Sequence, residues 1–121
     1  MRPIVREICT VEHEDLESFR PGDPANFETA VRMMIGPEGE QGSESFDIAV
    51  CTPSWLEDQC QQSGYFFPQR RLVVSHWNPN HIKEFISKRI STMTAESWKD
   101  LAAKISEFSH WEFKDYRETP A

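Results

Sequence analysis

Residues Phe27 to Val50, FETAVRMMIGPEGEQGSESFDIAV, decide how the chain folds. Phe27, Thr29, Val31, Met33 and Ile35 alternate with polar or smaller neighbours, and Phe46, Ile48 and Val50 resume the same period of two. Between them, Gly36-Pro37-Glu38-Gly39-Glu40-Gln41-Gly42 supplies glycines for positive φ and a proline for a fixed turn. The stretch predicts a β-hairpin.

Upstream, RPIVREICTVE (residues 2–12) places Ile4, Ile8 and Val11 in imperfect alternation and predicts a first strand. The polar, acidic run His13 to Ser18 then leads through Pro21-Gly22-Asp23-Pro24 as a loop, long enough to carry a turn of helix or a surface function. Downstream, Thr52-Pro53 combines a capping hydroxyl with a proline suited to the first helical turn, so a short helix over about 53–62 is expected, ending near Gly64. Arg70 to Trp77 (RRLVVSHW) predicts a central strand. Asn78-Pro79 repeats the cap-then-proline signal ahead of Ile82, Phe85, Ile86 and Ile90, which share one helical face. Thr94 starts a further helix with a stripe of Trp98, Leu101, Ala102, Ile105 and Phe108, and Trp111 to Tyr116 alternates aromatic and charged residues as a last strand closing the core. The order β-β-β-α-β-α-α-β predicts one α+β domain over residues 1–121, an antiparallel sheet with helices packed on one face.

The 121 residues include 14 aromatics, enough for a core without disulfide or metal. Cys9, Cys51 and Cys60, odd in number and widely spaced, read as buried thiols in a reducing compartment. No apolar run is long enough to cross a bilayer and Met1-Arg2-Pro3 does not open a signal peptide, so a soluble, cytoplasmic protein is expected. Charge is lopsided: residues 1–60 carry 13 acidic against 4 basic side chains, while 61–121 carry 7 against 9. The resulting net charge of −7 disfavours nucleic acid and anionic membrane, despite the local Arg70-Arg71 pair, and suits a basic protein partner.

Signals for chemistry are weak. CxxC, HxxxH and HExxH spacings are missing, and His76 and His81 straddle an expected strand-to-helix turn, where solvated or capping histidines are usual. Gly36, Gly39 and Gly42 lie in a hairpin, not between a strand and a helix N-terminus where a phosphate would be cradled. Neither catalytic residues nor a cofactor or metal is predicted. A small-ligand-binding or regulatory module is the alternative, requiring a concave apolar pocket with convergent polar groups; a small hydrolase or nuclease is the third.

Taken in order, Asn26-Phe27, Ile35 to Gly39, Phe46 to Val50, Cys51-Thr52-Pro53-Ser54-Trp55-Leu56, Thr94 to Trp98, and Trp111-Glu112-Phe113-Lys114-Asp115-Tyr116 resemble immunity protein family 8, over about residues 16–116. The resemblance implies a small cytoplasmic bacterial antidote encoded beside a polymorphic or contact-dependent toxin. It would protect the producing cell by binding the toxin's C-terminal domain, often a nuclease, without catalysis or cofactor. The motif residues are architectural, so toxin contacts do not carry over. Charge supplies candidates instead: a nuclease attracts polyanions, and carboxylates can occupy its basic cleft in place of phosphates. The candidate toxin-binding residues are Glu12, Glu14, Asp15 and Glu17 in the first loop, with Glu38, Glu40 and Glu44 around the hairpin.

Overall fold

The computed structural model describes residues 1–113. The expected hairpin forms from β2 (Glu28–Pro37) and β3 (Glu44–Cys51), paired antiparallel from Glu28↔Cys51 to Ile35↔Glu44. β1 (Pro3–Thr10) lies antiparallel against β2, with a register shift between Val5 and Glu7. Thr52 then caps α1 (Pro53–Ser63), its hydroxyl accepting from the N–H of Trp55 at 3.4 Å and of Phe27 at 3.2 Å, which also fixes the helix start to the β2 entrance. Gly64, at φ 85°, ends the helix in the left-handed conformation that glycine adopts without strain.

The chain returns as β4 (Arg71–Val73), which pairs parallel to the end of β3. The sheet is therefore mixed and not antiparallel throughout. A strand that comes back through a helical crossover re-enters in its original direction, which the order of elements leaves unspecified. β4 is also shorter than expected and lies at the edge of the sheet, not at its centre: Val74 and Trp77 are buried but belong to the turn leading into α2 (Pro79–Ser91). Asn78 caps α2 as the sequence predicts, accepting from Asn80 and His81 N–H groups at 3.0 and 3.3 Å. α3 (Trp98–Ile105) starts later than Thr94, because the Ser97 hydroxyl caps the Asp100 N–H at 3.1 Å while the Thr94 carbonyl accepts from Lys104 Nζ at 2.7 Å. β5 (His110–Trp111) pairs with β3 at Phe46 and Asp47, but the expected last strand does not continue: Glu112 and Phe113 form a turn with Phe113 exposed, and Lys114 to Tyr116 lie outside the described residues.

Alternation sorts the side chains to two faces. Val31, Met33, Ile35, Phe46, Ile48 and Val50 form one buried face, covered by Ile82, Ile86 and Ile90 of α2 and Leu101, Ala102 and Ile105 of α3. Each such aliphatic or aromatic side chain contributes about 1.5–3 kcal/mol when removed from water. Trp111 is half-buried against this core, its ring stacked on Phe46 at 6.1 Å. The opposite face carries the cross-strand row Cys9, Arg32, Asp47 and His110, in which Arg32 grips Asp47 through two bonds of 2.9 and 3.0 Å. Asp47 holds the Arg32 guanidinium above its ordinary pKa. α1 contributes no buried residue to the core.

Candidate functional site

The hairpin carboxylates stand on a turn determined by backbone fit. A Cβ on Gly36 would lie 2.0 Å from the Gly42 carbonyl oxygen, so only glycine permits the two sides of the turn to close. Arg6 locks that closure by donating to the carbonyls of Gly42, Pro37 and Glu40 at 3.1, 3.4 and 2.5 Å. Glu38 and Glu40 project into solvent. Glu44 is engaged: its carboxylate accepts from Trp111 Nε1 at 2.6 Å, which orients the indole over Phe46.

The first loop is held by buried side chains. After β1 the chain turns sharply, with His13 at φ 67° and the Thr10 hydroxyl accepting from Glu14 N–H at 3.0 Å. Asp15 then pairs back onto Cys9. Leu16 enters the core completely, and Phe19 meets the Trp77 ring edge-on at 5.0 Å. Trp77 in turn donates its backbone N–H to the Pro24 carbonyl at 2.9 Å. Glu12 and Glu14 remain exposed, and Glu12 shares with Glu28 a hollow of about 280 Å³ lined also by Thr10, Val11, Phe19, Thr29 and Ala30. Glu17 pairs with Lys83 of α2, and that contact above all lowers its carboxyl pKa to about 2.

The two groups are brought together within each loop but not with each other. Glu12, Glu14, Asp15 and Glu17 follow β1, whereas Glu38, Glu40 and Glu44 follow β2; since β1 and β2 are antiparallel, the loops occupy opposite ends of the sheet. A strand of eight residues separates them by roughly 25 Å at about 3.3 Å per residue.

A third feature escaped the sequence reading. Tyr65 and Phe67, between α1 and β4, are 78% and 77% exposed. Phe66 between them packs edge-on to Trp55 at 5.3 Å, and the Arg71 guanidinium lies over both the Phe66 and Trp55 rings at 4.8 and 5.5 Å. Arg71 also pairs with Glu28 at 2.7 Å, joining this cluster to the hollow beside Glu12. The Tyr-Phe-Phe-Pro run was the available signal, but a run of three aromatics has no period that distinguishes core from surface.

His76 and His81 are both exposed, their rings 6.3 Å apart, and His76 Nδ1 lies 2.9 Å from the Ser75 hydroxyl. Among the described residues no group of three or more His, Cys, Asp or Glu converges to hold a metal. Burial pushes the Cys9 and Cys51 thiols above their ordinary pKa, whereas Cys60, expected to be buried with them, is exposed because α1 buries none of its residues. Among the described residues no helix is long and apolar enough to cross a membrane.

A small α+β sheet protein whose outlying features are exposed carboxylates and exposed aromatic rings has the surface of a protein-binding module. A family model described as Immunity protein 8 matches residues 5–116, and the chain belongs to that family. It is an immunity protein, with a toxin as its implied partner. No curated protein and no solved structure is significantly similar to it.

Proposed function

We propose that the chain neutralises a nuclease toxin domain in the bacterial cytoplasm by covering its basic active-site cleft, and that it does so by binding alone. The observation that carries this reading is that Glu12, Glu14, Glu38 and Glu40 are exposed and have no ion pair with any described cation. Unpaired carboxylates keep their full potential for a cationic partner. Glu17 and Glu44 serve mainly to hold their loops, through Lys83 and Trp111.

Because the two loops lie at opposite ends, they can be tested separately. The Glu12→Lys/Glu14→Lys variant is expected to slow association with the cognate toxin domain at least tenfold at low salt and to flatten its salt dependence, with an unchanged thermal midpoint. The Glu38→Lys/Glu40→Lys variant should have a smaller effect, since the hairpin end lacks the connection through Glu28 and Arg71 to the exposed rings. Stopped-flow association rates at two ionic strengths decide it, and wild-type rates for both variants would refute the electrostatic reading. Protection of toxin-expressing cells by the wild-type chain tests the function itself.

A further inference from the structure

Building on the toxin-binding reading, we infer that the loop between α1 and β4 is the apolar anchor of the toxin interface, with Tyr65 and Phe67 inserted into an apolar pocket of the toxin domain. The loop is tied by hydrogen bonds at both ends and by ring contacts at its middle. Gly64 turns the chain out of α1, its N–H donating to the Cys60 carbonyl at 2.6 Å, and the Gln69 N–H donates to the Phe67 carbonyl at 3.0 Å around Pro68. The middle ring, Phe66, is pinned between Trp55 and the Arg71 guanidinium. Arg71 is fixed by Glu28 and by the Gln69 carbonyl at 3.2 Å. With half-buried Phe66 turned onto Trp55 and Arg71, its two neighbours Tyr65 and Phe67 stand in solvent, 78% and 77% exposed.

Two rings held in water by a built scaffold mark a contact surface. Large rigid aromatics are also the side chains that dominate binding energy, and holding them in place before encounter reduces the entropy lost on binding. A second copy of this chain does not fit as the occupant. Two copies would bring together net charges of −7. The charge instead selects a cationic protein. The rings are tied by Arg71 to Glu28, whose hollow holds Glu12, so one toxin domain would meet carboxylates and aromatic anchors side by side. The carboxylates would then govern the rate of encounter and the rings the lifetime of the complex.

The test is the Tyr65→Ser/Phe67→Ser double variant, with Tyr65→Phe as its conservative companion, binding the immobilised C-terminal domain of the toxin encoded by the adjoining gene. Both side chains are exposed, so the thermal midpoint should not move. The double variant is expected to dissociate about 100-fold faster while its association rate and salt dependence stay within about threefold of wild type, and Tyr65→Phe should behave as wild type. A double variant that dissociates at the wild-type rate overturns the anchor and leaves the immunity reading standing, because the wild-type complex is seen in the same experiment. A wild-type chain that does not bind the toxin domain overturns both. Binding of a single-stranded oligonucleotide, or self-association at micromolar concentration, abolished by the double variant would also overturn it, assigning the rings to a nucleic acid or to a second copy.

Discussion

The hairpin turn and the first loop lie at opposite ends of the same two strands, each presenting carboxylates, and their construction differs. The hairpin is closed by a glycine that admits a carbonyl, an arginine that ties three carbonyls together, and a Glu44–indole bond. The first loop is turned by local hydrogen bonds, among them Thr10 N–H to the Glu14 carbonyl at 2.8 Å and Glu14 N–H to the Thr10 hydroxyl at 3.0 Å, and it is docked on the core by Leu16 and by Phe19 and Phe27, which meet the Trp77 ring edge-on. One acidic surface is therefore an extension of sheet geometry and the other an extension of the core. The first should respond to changes in backbone and turn chemistry, the second to loss of apolar volume.

The largest effect is expected at Leu16. This side chain is fully buried although it sits amid an acidic run, and Leu16→Ala should destabilise the domain by about 3 kcal/mol, within the range for cavity-forming substitutions. Urea unfolding monitored by tryptophan fluorescence measures it. A loss below about 0.5 kcal/mol would mean that the loop is not fixed through the core. Next comes Gly36→Ala at the other end. Its new Cβ would meet the Gly42 carbonyl oxygen at 2.0 Å, and relief requires opening the turn against the Arg6 bonds, for an expected loss of about 2 kcal/mol. If Gly36→Ala unfolds at the wild-type urea concentration, the hairpin end is more yielding than its geometry indicates.

This contrast also explains which parts of the molecule the sequence reveals. The hairpin and the caps at Thr52 and Asn78 are local: a period of two, a cluster of turn glycines, and a hydroxyl or amide ahead of a proline are each complete within a few residues. The parallel entry of β4 depends on where α1 sets the chain down, and the α3 start depends on Lys104 claiming the Thr94 carbonyl ahead of any cap there. For the candidate carboxylates, sequence distance gives no spatial proximity. The relevant signal was nonetheless present, because loops entering and leaving one strand must lie at opposite ends of it. Tyr65 and Phe67 were missed for a different reason, since exposure of an aromatic follows from the pinning of its neighbour Phe66 by Trp55 and Arg71, a contact that no periodicity of the sequence announces.

The smallest effect concerns Glu17, the one first-loop carboxylate tied to a helix. Its pairing with Lys83 of α2 lowers its pKa from an ordinary value of 4.5 to about 2. With the folded value below the unfolded one, the unfolded chain takes up the proton first as pH falls. The contribution to stability is thus fully present above about pH 4.5 and is lost progressively toward pH 2. Both partners are well exposed, so solvent screening keeps that contribution small. Glu17→Gln should unfold at slightly lower urea than wild type at pH 6, with the gap closing by pH 2 and also closing at pH 6 in high salt. A gap that persists at pH 2 would show that Glu17 acts through packing. The first loop's tie to α2 would then be apolar contact and not an ion pair, which would sharpen the contrast with the hairpin that Arg6 and Glu44 close through polar bonds.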